Sequence, residues 1–133
     1  MKVVYHLFVK GTPRAQPRPR MTIHGHAYNP DSADEWKEEI KFAFLSCLRP
    51  SITGPVLLRV SFFLPGSKDT KNEGTNIPHI KKPDLDNLLK AVMDAMTYVG
   101  VWRDDAQVYA TEVSKWYARD GKTGAQIIVE TQF

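Results

Sequence analysis

The sequence predicts an α/β fold of the α+β type, a small mixed β-sheet with two main helices in the order β-α-β-α-β-β. Hydrophobic residues make up 42% and charged residues 25% of the 133 residues, which is typical of a globular domain. Two segments carry apolar residues at helical spacing, and four carry the pattern of strands. Since no repeat or linker divides the sequence, we expect one domain over residues 1–133.

The first strand and helix are predicted from two local patterns. Successive side chains of residues 3–10 would alternate between the two faces of a strand, and both faces then carry apolar residues, which favours a well-buried strand. Ser32 and Glu35 have the spacing of a capping box, and the helix that follows is expected to end near Arg49, before Pro50. The apolar stripe of this helix comprises Trp36, Ile40, Ala43, Phe44, Cys47 and Leu48. We therefore expect the side chain of Cys47 to lie in the core.

The second strand and second helix have the clearest patterns. Alternate apolar residues over residues 56–64 predict a strand. A helix is predicted to begin near Asp84 and to end at Gly100 in the left-handed conformation. Its apolar residues recur at one helical face: Leu85, Leu88, Leu89, Val92, Met93, Met96 and Val99.

The last two strands are predicted over residues 107–117 and 125–133. Asp120-Gly121 lies between them and is typical of a tight turn. We expect the two strands to form a hairpin.

Charge is distributed unevenly along the chain. The net charge is only +3, but residues 1–30 contain five basic residues and no acidic residue. Residues 11–20 alternate arginines with prolines, which exclude helix and keep the guanidinium groups outside. Such arginines suit phosphate oxygens, so this segment is a candidate for nucleic-acid contact, with a solvated basic loop as the alternative.

The sequence lacks three features that would indicate a membrane or secreted protein. No run of residues approaches the ~18 consecutive apolar residues of a membrane span, and the first residues are too polar for a signal peptide. The single cysteine cannot form an intramolecular disulfide. We expect a cytoplasmic protein with no membrane segment.

Three aspartates and a lysine have the pattern of a metal-dependent site. Asp84 and Asp86 straddle a helix start, whose partial positive charge favours ionised carboxylates. Two fixed carboxylates suit Mg²⁺, and Asp105 from another element would complete the set. Lys90 shares a helix face with Asp86 and could stabilise charge on a phosphate. The alternatives are a helix cap, a surface ion pair worth ~0.3–0.5 kcal/mol and a solvated turn.

The same residues resemble a known family. Lys82-Pro-Asp-Leu-Asp-Asn-Leu-Leu-Lys-Ala-Val-Met-Asp-Ala-Met96, followed by Val101-Trp-Arg-Asp-Asp-Ala-Gln-Val108, is similar to the RusA Holliday-junction resolvases (crossover junction endodeoxyribonucleases) of bacteria and their prophages. The match extends from about Pro83 to Lys115 and is looser over residues 1–65.

The resemblance implies roles for individual residues. Asp84, Asp86 and Asp105 would be catalytic and ligate Mg²⁺, with Mn²⁺ as a substitute ion and no small-molecule cofactor. Lys90 would be the catalytic lysine. Asn87 and Asp104 would support the metal site from outside the ligand set. The residues expected to contact DNA are Arg14, Arg18, Arg20, Lys81, Lys82 and Lys115.

The resemblance also implies a RusA-like fold, a partner and an activity. The expected activity is Mg²⁺-dependent phosphodiester hydrolysis that resolves Holliday junctions by paired symmetric nicks, in DNA recombination and repair. The expected partners are four-way junction DNA and a second copy of the chain, because two strands must be nicked. The alternatives are a non-catalytic protein that binds branched DNA and a metal-dependent nuclease for flaps or plain duplex.

Overall fold

The computed structural model describes residues 1–17, 20–21, 25, 27–28, 32–66 and 76–132. Its elements, in chain order, are β1 (Lys2–Lys10), β2 (Arg20–Met21), β3 (Ala27–Tyr28), α1 (Asp34–Leu45), β4 (Val56–Leu64), α2 (Leu85–Val99), β5 (Val108–Tyr117) and β6 (Gly124–Thr131). A 3-10 turn at Asp105–Gln107 precedes β5. The predicted mixed α+β fold is confirmed, and β2 and β3 add a small antiparallel ribbon that the sequence pattern did not indicate.

The four long strands form one sheet in the order β1-β6-β4-β5. β4 and β5 are parallel, whereas β6 is antiparallel to both of its neighbours, β1 and β4. The predicted hairpin is therefore wrong, because β4 lies between β5 and β6. Asp120 and Gly121 do make the turn, with φ of 52° and 70°. A turn reverses the chain direction but does not determine which strand pairs with the next one. The strongly apolar β6 lies at the centre of the sheet.

The position of β1 also differs from the prediction of a well-buried strand. β1 is an edge strand, and only its Tyr5 and Val9 are buried. Val3 and Phe8 are 50% and 49% exposed. Although β1 carries apolar residues on both faces, only one face is buried, because the helices cover only one face of the sheet.

A single core joins the two helices to one face of the sheet. The alternate residues of β4 are buried as predicted, and Leu88, Val92 and Met96 of α2 are fully buried. Trp102 is fully buried beside them, and its indole N–H donates to Thr97 Oγ1 at 2.6 Å. The core thus fixes α2 against α1 and the sheet, which determines where the first turn of α2 points.

Helix α1 is shorter than predicted at both ends. It begins at Asp34, and Ser32 Oγ accepts from the amide of Asp34 at 3.2 Å, so the predicted capping box does not form. Ser46 Oγ donates to the carbonyl of Phe42 at 2.8 Å, and the helix ends at Leu45. Cys47 is therefore exposed, and its predicted burial is wrong, because the stripe would need another helical turn to bury it.

Helix α2 follows its prediction closely. Asp84 occupies the N-cap position in an extended conformation, and Gly100 ends the helix with φ of 86°. Neither α2 nor any other helix in the described ranges has the length and apolar character needed to cross a membrane.

Candidate active site

A cleft of ≈ 800 Å³ lies at the end of the sheet where β4 ends and α2 begins. One wall is the proline-arginine segment from Thr12 to Pro17, and the other includes His79, residues 82–84 and Asn87. The amide of Gln16 donates to the carbonyl of Asn87 at 2.9 Å, which fastens the segment to the first turn of α2. The basic segment and the acidic helix start, about 70 residues apart in sequence, therefore face the same space.

Asp84 and Asp86 lie at the start of α2, as predicted. The Asp84 carboxylate is half-exposed and makes no capping hydrogen bond to the helix. Instead, Lys82 Nζ lies 2.7 Å from Asp84 Oδ1. Asp86 Oδ1 accepts from the amide of Asn87 at 3.0 Å. The interpretation of Asp84 as a simple cap is thus not what the structure shows.

Lys90 connects α2 to the turn that carries the third aspartate. Its Nζ lies 3.0 Å from Asp94 Oδ1 and 3.8 Å from Asp105 Oδ2. The hydrogen bond to Asp94 is the main cause that raises the pKa of Lys90, and the charge of Asp105 contributes in the same direction. The side chain is 56% exposed, so a fully protonated ammonium is presented to solvent beside Asp105.

The turn that presents Asp105 is held by its neighbours. Asp104 Oδ1 accepts from the amide of Ala106 at 2.8 Å, and Gln107 Oε1 accepts from the amide of Asp104 at 3.0 Å. This reciprocal capping box is complemented by Gln107 Nε2, which donates to the carbonyls of residues 52 and 54. Asp104 and Gln107 therefore fix the turn before β5, although Asp104 itself is exposed and Asp105 is 42% exposed.

Lys115 and His79 hold the segment that leads into α2. Lys115 Nζ donates to the carbonyls of Lys81 and Pro83 at 2.6 and 2.7 Å. The amide of His79 donates to the carbonyl of Lys115, and its ring packs on Tyr117 with centroids 4.7 Å apart. Burial lowers the pKa of His79, and the charge of Lys115 lowers it further.

The sequence pattern indicated neither of these two roles. Lys115 was expected to contact DNA, and His79 lies in a polar stretch with no periodic signal. Their partners are backbone carbonyls and a ring on other elements, which spacing along the chain cannot reveal.

The other residues expected to contact DNA are placed unevenly. Arg14 and Lys82 are exposed and line the cleft, and Lys81 is exposed next to it. Arg18 lies outside the described residues, and for Arg20 the structure describes only its backbone in β2. One arginine of the basic segment is thus placed at the cleft.

The donor chemistry of the site suits Mg²⁺, since carboxylate oxygens are its preferred protein ligands. Within the described residues, which include all three aspartates, no three His, Cys, Asp or Glu side chains come close enough to hold one ion. Asp84 and Asp105 each lie beside a lysine ammonium instead. Because Mg²⁺ often uses only one or two carboxylates with water and phosphate, the residues fit the ion, and the three-ligand set stays a prediction.

Comparison with known proteins gives a consistent result. Residues 10–130, which include the whole site, match the model of the family Endodeoxyribonuclease RusA. YqaN, an uncharacterized protein of Bacillus subtilis (strain 168), is 33% identical over 132 residues that cover 90% of this chain and 92% of YqaN. Crossover junction endodeoxyribonuclease RusA of Escherichia coli (strain K12) is 50% identical over 40 residues, which cover 30% of this chain and 33% of that relative. The protein of that name from Enterobacteria phage 82 is similar to the same extent.

Proposed function

Because this chain belongs to the RusA family of endodeoxyribonucleases, nucleases that act on DNA, we propose that it resolves Holliday junctions. It would do so by paired symmetric nicks, in DNA recombination and repair. The observation that carries the proposal is the contact of Lys90 with Asp105, which joins a third carboxylate to the helix that bears Asp84 and Asp86. Of the three aspartates, Asp84 lines the cleft, and the wall opposite it carries Arg14.

We propose that Asp84, Asp86 and Asp105 hold Mg²⁺, or Mn²⁺ in its place, with Asn87 and Asp104 in support. When bound, the ion supplies Lewis-acid stabilisation of the phosphate and a more acidic water. Lys82 lies beside Asp84 and Lys90 beside Asp105, so each of these carboxylates has a positive charge close to it.

Lys90 is proposed as the catalytic lysine. Like any lysine with an ordinary or raised pKa, it is positively charged at neutral pH, and its position beside Asp105 would direct that charge to the place where the scissile phosphate binds. A fixed cation there stabilises the negative charge that develops on the phosphate oxygens. Asp94 holds the ammonium at 3.0 Å and thereby orients it.

A homodimer is part of the proposal, because nicks in two strands need two active sites. Phe42, Leu45 and Tyr98 lie on the helical side of the molecule and are 72%, 56% and 78% exposed. Lys41 of α1 lies 4.1 Å from the centroid of the Tyr98 ring, so α1 and the end of α2 are adjacent there. Large exposed apolar side chains of this kind are typical of protein interfaces, and sedimentation of the free protein measures the oligomeric state.

The proposed function is tested with a synthetic four-way junction that carries a different label on each strand. We expect paired symmetric nicks with Mg²⁺ and none with EDTA, and linear duplex and flap substrates to be cut far more slowly. Junction binding without nicks in Mg²⁺ or Mn²⁺ would identify a non-catalytic binding protein. Equal cutting of flaps or duplex would identify a less selective nuclease.

A further inference from the structure

A second depression lies next to the cleft, at the same end of the sheet. Its volume is ≈ 720 Å³, and the rings of Phe8 and Phe63 form its apolar part. Lys10 and Gly11 line this depression, whereas the next residues of the chain line the cleft. We call it the aromatic slot. It shares no lining residue with the active-site cleft, but the two adjoin at consecutive residues, Gly11 and Thr12 on one segment and Phe63 and Leu64 on β4.

Gly124 permits the aromatic slot to form. Gly124 lies on β6 between the strands that carry the two phenylalanines, and its φ is +153°. A Cβ there would lie 2.3 Å from the carbonyl oxygen of Val9 and 2.6 Å from the Phe8 ring. The absence of a side chain lets the Phe8 ring lie 6.3 Å from that of Phe63, with 38° between the ring planes.

The rim of the aromatic slot is basic. Lys10, Arg119 and Lys122 line it, and Glu39 is the one carboxylate among its lining residues. Lys10, Arg119 and Lys122 are exposed, and Phe8 keeps 49% of its surface accessible. An accessible aromatic ring surrounded by cations suits a nucleobase that stacks and a phosphate backbone that pairs with the cations.

We propose that the aromatic slot binds an unpaired nucleobase of the DNA substrate, with its flanking phosphates on Lys10, Arg119 and Lys122. This inference rests on the proposed function, because the slot adjoins the cleft at Gly11/Thr12 and Phe63/Leu64 and so lies on the path of a strand that continues from the cleft. A basic protein segment is a poorer occupant, since the cations around the rings would repel it. Stacking on Phe8 would hold a strand open at the branch point while it is cut.

The test measures binding of fluorescently labelled oligothymidine to the full chain in EDTA, so that cutting plays no part. We expect Phe8→Ala to weaken binding by about 5- to 150-fold, the range for loss of one base–aromatic stack. Phe8→Trp should restore binding, since indole also stacks. Val3→Ala is the matched control, because Val3 is an equally exposed apolar residue on the same strand, and it should leave binding within about two-fold.

Several outcomes decide the proposal. Unchanged oligothymidine binding by Phe8→Ala would overturn it, as would restoration by Phe8→Leu to the level of Phe8→Trp. A change in sedimentation mass for Phe8→Ala would overturn it in favour of a contact between two copies. If wild-type protein binds oligothymidine through Phe8 but cuts no junction in Mg²⁺, the slot stands and the proposed function fails. If the wild type cuts junctions and Phe8→Ala leaves oligothymidine binding unchanged, the proposed function is supported and the base-binding role of the slot is refuted.

Discussion

Replacing Lys115 with methionine tests whether this lysine positions the active site or contacts DNA. Methionine keeps the length of the apolar stem and removes the ammonium, which donates to the carbonyls of Lys81 and Pro83. The bond to Pro83 is partly buried and should contribute about 1.5–3 kcal/mol, whereas the more exposed bond to Lys81 should contribute less than about 1 kcal/mol. We therefore expect the free energy of unfolding to fall by about 2–3 kcal/mol.

The assay is thermal unfolding combined with junction binding and cutting. For a chain of 133 residues, the expected loss lowers Tm by about 7–11 °C. Lys2→Met, at an exposed position on β1, is the matched control and should change stability by less than about 0.5 kcal/mol. Cutting should slow because the segment before Asp84 loosens, while junction binding in EDTA stays within about two-fold. A Tm within about 2 °C of the wild type (roughly 0.6 kcal/mol), or a binding defect whose salt slope falls by ~0.9, would refute the positioning role.

Three further predictions concern the cleft wall, His79 and the C-terminal end of α2. Arg14→Ala should weaken junction binding and reduce the slope of log K against log salt concentration by ~0.9, as measured by titration at several salt concentrations. An unchanged slope would indicate that this segment is a solvated loop that does not contact DNA. Because burial lowers the pKa of His79 below 6.5, the unfolded chain takes up its proton first, so the free energy of unfolding should fall as pH drops below about 6.5. His79→Gln should make the free energy of unfolding depend less on pH, as measured by denaturant titrations at about pH 7.5 and 5.5 (about one unit on either side of the unperturbed histidine pKa). An equal pH dependence in the variant and the wild type would contradict a lowered pKa of His79. Gly100→Ala should lower stability by about 1 kcal/mol, since its φ of 86° strains any side chain although the space is open; an unchanged Tm would contradict this.

The parts of the fold that local patterns determine were predicted well. Strand β4 and helix α2 have the predicted residues because each carries a continuous apolar face and a definite start or stop signal. The pairing of β6 was missed, since a turn at residues 120–121 is compatible with either neighbour. Strand order depends on which strand has the most apolar surface to bury, and that is a property of the whole sheet. The end of α1 was missed because the chain tightens after Leu45, where the amide of Cys47 donates to the carbonyl of Phe44, three residues back.

In the candidate site, too, local sequence patterns predicted some features, and contacts between distant residues account for the others. Residue types and spacing, together with the family resemblance, single out the aspartates and Lys90 as candidates, and their roles stay predictions. The structure adds that Lys90 of α2 lies 3.8 Å from Asp105 of the following turn. The structural use of Gln107, which ties the turn to the loop before β4, depends on contacts more than 50 residues away in sequence. The ammonium of Lys115 likewise bonds to carbonyls 32 and 34 residues away. Such contacts exist only after folding, so residue spacing did not predict them.

The most direct test of a metal-dependent carboxylate site is the rate of junction cutting by Asp84→Asn and Asp105→Asn in Mg²⁺. Each variant should cut at least about 100-fold more slowly than the wild type, because an amide oxygen binds Mg²⁺ much more weakly than a carboxylate. Binding to the junction in EDTA should be retained or tighter, since a negative charge near phosphate is removed. Asp120→Asn is the matched control, because asparagine tolerates the φ of 52° at this exposed turn. Cutting at the wild-type rate by either Asp84→Asn or Asp105→Asn would contradict the account.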